Sequence, residues 1–178
     1  GYYYDTLVSD GEILYRDAAV EVKGIGLTRK NADVLYWMIK QFMLMEKQGN
    51  AIDPDWVSNV RLLADAFAKT WKDEGTWGNY LNVETGKIAV YNTTGGAMAV
   101  GGMALASVYY DVPEFMEIAR EAADVYYDDY ALVGFTAGGC GDILQNADSE
   151  TAAALMTSMM VLYEITQDNK YLERSASL

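Results

Sequence analysis

The chain has 178 residues and a formal net charge of −13, with no histidine and one cysteine, Cys140. That charge repels phosphate backbones and argues against a nucleic-acid partner, while the missing histidine excludes His-based triads, His-based acid–base chemistry and HExxH zinc sites. One cysteine cannot form an intrachain disulfide or a CxxC metal knuckle. No apolar run approaches the roughly 20 residues of a membrane span, so a membrane partner is not expected. Nothing in the composition requires a cofactor or a metal.

The first stretch, residues 1–28, is predicted to be a β-rich segment. An Asp10-Gly11 turn signal lies between two short apolar runs, which favours a hairpin. Residues 19–23 alternate between apolar and polar, as a third short strand would. A piece this small is not stable alone, so it is expected to pack on the helices or on other parts of the protein.

From about residue 31 the sequence follows the order helix, short turn, helix, long loop. Apolar periodicity predicts helices over about residues 33–48, 53–72, 95–109, 113–127 and 149–166, with a further short helix after residue 169. Asp53 and Pro54 are typical of an N-cap and first helical position. Turn residues around Gly86 suggest a small hairpin in the first long loop.

The third helix carries an unusual number of glycines, namely Gly95, Gly96, Gly101 and Gly102. An isolated glycine costs a helix about 1 kcal/mol relative to alanine. Four in one segment therefore indicate a neighbouring backbone packed very close, or a ligand that reaches the helix.

A repeat of about 57 residues relates the three helix pairs. Its short turns, residues 53–56, 112–115 and 168–171, each place an aromatic residue at the same position in the outgoing helix. Counting back the same distance from each aromatic residue reaches a short polar residue near the start of the incoming helix: Asp33, Asn92 and Asp148. Residues 29–178 are therefore predicted to be α-hairpin repeats, with long loops gathered at one end, where binding sites usually lie.

Inner helices rich in small residues, amphipathic outer helices, and the loops at residues 77–80 (WGNY) and 138–150 (GGCGDILQNADSE) together resemble the six-hairpin glycosidase superfamily. The resemblance covers roughly residues 29–178, or about two and a half of six hairpins. It implies a mainly α fold, a partial (α/α)6 toroid, with a carbohydrate substrate and catalytic carboxylates in a funnel at the incoming ends of the inner helices. The last helical pattern is short, so the sequence is expected to be a fragment of a longer protein. Half a toroid would leave its inner helices exposed, and further chain or self-association is expected to cover that surface.

Four carboxyl groups are the candidate catalytic residues. Asp142, Asp148 and Glu150 lie in or beside the loop that leads into the fifth helix, and Asp33 occupies the position equivalent to Asp148 in the first repeat. A glycosidase needs an acid and a carboxylate about 5 Å apart for retention or about 6.5–9.5 Å apart for inversion. Each residue except Asp142 also has a simple alternative role, because an N-cap explains Asp148 and Asp33 and the helix dipole explains Glu150.

The candidate substrate-binding residues are Trp77, Tyr80, Asn92, Gln145 and Asn146. The two aromatic rings suit the C–H surfaces of sugars, and the three amides suit hydroxyl groups. Packing within the loop explains the rings equally well, and loop polarity or capping explains the amides.

Two functions from different classes remain open on the sequence. The first is a carbohydrate-active enzyme of glycoside hydrolase type that uses loop carboxylates, and the second is a non-catalytic carbohydrate- or protein-binding α-hairpin solenoid. A terpenoid-type toroid enzyme is disfavoured because Asp128-Asp129 lacks the further aspartate of DxDD or DDxxD patterns. Calcium binding by Asp142, Asn146 and Asp148 is disfavoured because their spacing is not that of an EF-hand.

Overall fold

The computed structural model describes residues 25–91, 93–138 and 146–178. In this part of the chain the strands are β1 (Ile25–Leu27), β2 (Tyr80–Asn82) and β3 (Ile88–Val90). The helices are α1 (Thr28–Lys47), α2 (Pro54–Glu74), α3 (Ala97–Tyr110), α4 (Pro113–Asp129), α5 (Ser149–Thr166) and α6 (Asn169–Ala176), with a 3₁₀ turn at Ala131–Val133. The expectation of a mainly α protein is confirmed. None of the helices described is long and apolar enough to cross a membrane.

The helices form two layers in which α3 is central. The helices α1 and α5 pack on α3, and each of α2, α4 and α6 packs on the helix that precedes it in the chain. The outer helices α2 and α4 also contact each other. The inner layer is therefore α1, α3 and α5, and the outer layer is α2, α4 and α6, in the alternating order that the repeat predicts.

Polar side chains begin the helices at two of the three predicted short turns. The carboxylate of Asp53 accepts a hydrogen bond from the backbone N–H of Asp55 at 2.9 Å, and Pro54 opens α2. The carboxylate of Asp168 caps α6 in the same way, through the N–H of Lys170 at 3.0 Å. These caps satisfy N–H groups that have no partner within the helix, which is why the short turns could be located from the sequence.

The start of α1 differs from the prediction, and this corrects the proposed cap at Asp33. The helix begins at Thr28, directly after β1, and the side-chain amide of Asn31 donates a hydrogen bond to the carbonyl of Leu27 at 3.0 Å. Asp33 therefore lies in the second turn of α1 rather than at its N-cap. Its side chain is left available for other partners.

The core is built around the small residues of α3. All residues from 97 to 107 are buried. A Cβ atom on Gly101 would lie 3.2 Å from the Cα of Ser158 in α5, and one on Gly102 would lie 3.0 Å from the Cγ of Leu35 in α1. The hydroxyl of Ser158 accepts from the N–H of Gly101 at 3.0 Å and donates to the carbonyl of Ala97 at 2.7 Å. At these two glycines the structure shows close helix packing.

A three-stranded antiparallel sheet, in the order β1-β2-β3, lies at the end of the array where α1 begins. Leu27 pairs with Tyr80, and the backbone N–H of Thr28 donates to the carbonyl of Asn79 at 2.9 Å. The predicted hairpin is present as β2 and β3, and Gly86 in its turn has a left-handed φ of 70°. The hairpin and strand predicted within residues 2–23 lie outside the described residues.

Gly101→Ala tests the close approach of α3 and α5. We expect the substitution to lower the free energy of unfolding by about 1–3 kcal/mol, because the added methyl group would collide with the backbone of Ser158. This loss should exceed the gain from the better helix propensity of alanine. Urea denaturation measures the change. Val108→Ala on the same helix is the matched control, since Val108 is 51% exposed and surface changes of this kind stay within about 0.5 kcal/mol. A Gly101→Ala protein as stable as the unsubstituted one would contradict the packing described.

Candidate functional site

The incoming ends of α1 and α5 meet at one arginine side chain. The Nε of Arg29 donates a hydrogen bond to the Oδ1 of Asp33 at 2.8 Å, and its Nη2 lies 3.3 Å from the Oε1 of Glu150. Asp33 is one turn further along α1, whereas Glu150 is in the first turn of α5. Two of the four predicted catalytic carboxyl groups, contributed by different inner helices, are thus brought to a single guanidinium.

The three side chains differ in depth. Arg29 is only 9% exposed, while the side chains of Asp33 and Glu150 are 30% and 50% exposed. A buried cation is stable only when it is paired, and the two carboxylates provide that pairing. The Nη1 of Arg29 is also buried, and no hydrogen-bond partner for it is found within the described part of the chain. The site is therefore a buried cation beneath two carboxyl groups that solvent can reach.

Burial raises the pKa of Asp33 above its ordinary value of 3.8. The hydrogen bond and charge of Arg29 and the charge of Lys30 act in the opposite direction, and the nearby carboxylate of Glu150 raises the pKa further. Burial has the largest effect, so Asp33 keeps its proton to a higher pH than an ordinary aspartate. A carboxyl group in this condition suits the role of a general acid.

Asp148 is occupied as the N-cap of α5. Its Oδ1 accepts from the backbone N–H of Thr151 at 2.6 Å, as the capping alternative predicted. Its backbone is fixed as well, because its N–H donates to the carbonyl of Thr136 at 2.8 Å and its carbonyl accepts from the Thr136 hydroxyl at 3.0 Å. These contacts place Glu150, two residues further on, in the first turn of α5.

The loops that precede the inner helices are joined to one another. The backbone N–H of Thr94 donates to the carbonyl of Ala137 at 2.9 Å, and its hydroxyl accepts from the N–H of Ala137 at 2.9 Å. An isolated antiparallel bridge pairs Ala137 with Ala147 just before α5. These contacts hold the starts of α3 and α5 together, and the bond from Thr28 to Asn79 attaches the start of α1 to the loop that precedes α3.

The two aromatic candidates lie in the core. Trp77 is 0% exposed, its Nε1 donates to the carbonyl of Phe67 at 2.8 Å, and its ring contacts those of Phe67, Trp71 and Tyr126. Tyr80 is buried in β2. Neither ring is exposed at the surface of this structure. Both positions therefore match the alternative of internal packing rather than contact with a substrate. The Gly-bounded sequence around Trp77 gave no sign of these long-range contacts.

The remaining candidates divide into two groups. Asn146 is exposed, just before the bridged residue Ala147. Asn92, Asp142 and Gln145 lie outside the described residues. Sequence reasoning missed Arg29, although its spacing of four residues from Asp33 is typical of a helical ion pair. Among the described residues no group of three or more His, Cys, Asp and Glu side chains could hold a metal ion.

Comparison of the chain with protein-family models, with curated proteins and with solved structures finds no match. The resemblance to six-hairpin glycosidases therefore depends on the sequence pattern.

Trp77→Phe tests whether this side chain belongs to the core. We expect it to lower the free energy of unfolding by about 1–3 kcal/mol, because it removes a buried hydrogen bond and leaves part of the ring volume empty. Trp56→Phe in α2 is the control, since Trp56 is 49% exposed and should change stability by less than about 0.5 kcal/mol. Equal effects in urea denaturation of the two variants would contradict the core position of Trp77.

The titration of Asp33 can be measured by following its side-chain carboxyl carbon in ¹³C NMR as a function of pH. We expect the pKa of Asp33 to lie above 3.8 in the unsubstituted protein. In Glu150→Gln it should be lower than in the unsubstituted protein, because the substitution removes a negative charge that raises this pKa. Glu164→Gln, near the opposite end of α5, should leave the titration unchanged. A pKa at or below the ordinary value would show that the charge of Arg29 outweighs burial.

Proposed function

We propose that this chain is part of a carbohydrate-active enzyme of glycoside hydrolase type, built on an α-hairpin toroid, with Asp33 and Glu150 as its carboxyl pair. The observation that supports the proposal is the meeting of these two residues at Arg29, at the loop end of the inner helices. The alternation of inner and outer helices is compatible with a partial toroid. Under this proposal, further hairpins or a second copy would cover the open side of the inner layer.

The two carboxyl groups would divide the chemistry between them. Asp33, whose pKa is raised by burial, would protonate the oxygen of the leaving sugar. Glu150, which is half exposed and ion-paired to Arg29, would act as the carboxylate on the other side of the bond. Whether it attacks the sugar directly or activates water is set by the separation of the two groups in the complex. Arg29 would be a positioning residue that orients both carboxyls.

The second candidate is a protein-binding α-hairpin solenoid, and an apolar surface favours it. A groove of about 490 Å³ lies between α1, α5 and α6 and is lined by residues that include Tyr36, Met156, Met160 and Leu172. Met156 and Leu172 are both partly exposed, as is the neighbouring Trp37 of α1. Exposed apolar surface of this kind is typical of protein interfaces. In that function Asp33 and Glu150 would serve only to pair with Arg29.

Hydrolysis of a panel of oligosaccharides distinguishes the two candidates. We expect Asp33→Asn and Glu150→Gln each to lower kcat by about 100-fold or more, the usual contribution of an acid or base catalyst. Glu164→Gln is the control and should retain full turnover. Because the reaction needs Asp33 protonated, activity should fall as the pH rises through its pKa, and this limb of the profile should disappear in Asp33→Asn. Turnover that persists in both carboxyl variants would remove the assignment, and a folded protein inactive on every glycan would support the solenoid.

A further inference from the structure

The groups that a ligand meets at the Arg29 site are mainly hydrogen-bond acceptors. The carboxyls of Asp33 and Glu150 are open to solvent, whereas the guanidinium between them is buried. When both carboxyls are ionised, the three side chains together carry one negative charge. A ligand that approaches this surface must therefore supply donors, and it encounters the negative side of the ion-pair cluster first.

An acidic sugar fits this surface poorly. A uronate or sulfate group would lie beside the carboxylate of Glu150, and beside that of Asp33 as well above the pKa of Asp33, and like charges a few ångströms apart repel strongly at a partly buried site. The overall charge of −13 adds to the repulsion at long range. The cation that could offset it, Arg29, is already shared between Asp33 and Glu150.

A cationic sugar is not favoured either. Both carboxylates already have a cation, since each pairs with Arg29, and Lys30 is near enough to lower the pKa of Asp33. A ligand ammonium group would compete with these two positive side chains for the same carboxylates. The net charge of the cluster is thus small, although the net charge of the whole chain is −13.

A neutral hydroxyl group matches the cluster. It can donate its proton to an outer carboxylate oxygen of Asp33 or Glu150 while its oxygen accepts another hydrogen bond. The Nη1 of Arg29, buried and without a hydrogen-bond partner in the described part of the chain, is a donor on the same guanidinium. A hydroxyl oxygen is an acceptor of the kind that this donor lacks.

From this geometry we infer that the site selects uncharged glycans through their hydroxyl groups and rejects acidic ones. The inference depends on the proposed function, because it names the substrate class of the same carboxyl pair. The selection is made by the charge of Glu150, and by that of Asp33 when it is ionised, and Arg29 holds both side chains in place.

Calorimetric titration with two sets of tetrasaccharides tests this selection. The neutral set comprises cello-, malto-, manno- and chitotetraose, and the acidic set comprises tetragalacturonate and a sulfated chondroitin tetrasaccharide, each at 50 and 300 mM NaCl. We expect a neutral tetrasaccharide to bind with an affinity that changes less than about twofold with salt, since no net charge is neutralised. Every acidic tetrasaccharide should bind at least about tenfold more weakly.

Two variants connect the selection to these residues. Glu150→Gln keeps the size and polarity of an exposed side chain and removes one charge, so it should strengthen binding of the acidic set by several fold. Arg29→Lys keeps the charge but loses the planar group that pairs with both carboxyls, and should weaken binding of the neutral set at least about tenfold. The matched control is Arg61→Lys, because Arg61 makes the same four-residue pairing with Asp65 on the surface of α2. Circular dichroism verifies that each variant is folded.

The outcomes separate this inference from the function on which it depends. Tighter binding of an acidic glycan that weakens with salt would overturn the selection and leave a carbohydrate-binding function standing. Neutral binding that is insensitive to Arg29→Lys, or acidic binding that is insensitive to Glu150→Gln, would also overturn it, because the glycan would then bind elsewhere. Failure of every glycan to bind the folded protein would overturn the proposed function and this inference together.

Discussion

The arrangement of this protein depends on how closely α1 and α5 approach α3. Without side chains at Gly101 and Gly102, the backbone of α3 lies against Ser158 on one side and against Leu35 on the other. Larger residues there would separate the inner helices. Because Arg29 reaches from α1 to Glu150 at the start of α5, the carboxyl pair exists only while both helices remain packed on α3. The absence of side chains at Gly101 and Gly102 in the middle of α3 thus allows the ion pair between Arg29 and Glu150 at the start of the inner helices.

The charges at that end form a unit whose members need one another. Arg29 is buried to an extent that requires anionic partners, and Asp33 is buried enough that its pKa rises in spite of Arg29. Removing Arg29 would raise the pKa of Asp33 further, and removing Asp33 would leave the buried guanidinium with one anionic partner fewer. This mutual dependence is compatible with a structural ion-pair cluster as well as with a catalytic one. Glu150 and Asp33 are both accessible to solvent, so a ligand can reach them, whereas Arg29 is buried beneath them.

The sequence predicted those features that depend on local chemistry. Helix α5 has the bounds expected from its periodicity, Asp53 and Asp148 cap their helices, and the small hairpin lies around Gly86. Each of these depends on residues within a few positions of one another. The start of α1 was predicted too late because its first turn is fixed by a preceding strand and by Asn31. The burial of Trp77 and the contact of Arg29 with Glu150 join residues far apart in the chain, and periodicity carries no information on such contacts.

The composition of α3 also has a consequence for how the protein loses its structure. A helix that contains adjacent glycines and no charged side chain has little tendency to form by itself, so α3 exists because its neighbours enclose it. Opening of α1 or α5 would release α3 in the same event, which makes the inner layer a single cooperative unit. Amide hydrogens of α3 should then exchange with solvent only as fast as the whole inner layer opens. The carboxyl pair at the end of that layer is accordingly as persistent as the fold itself.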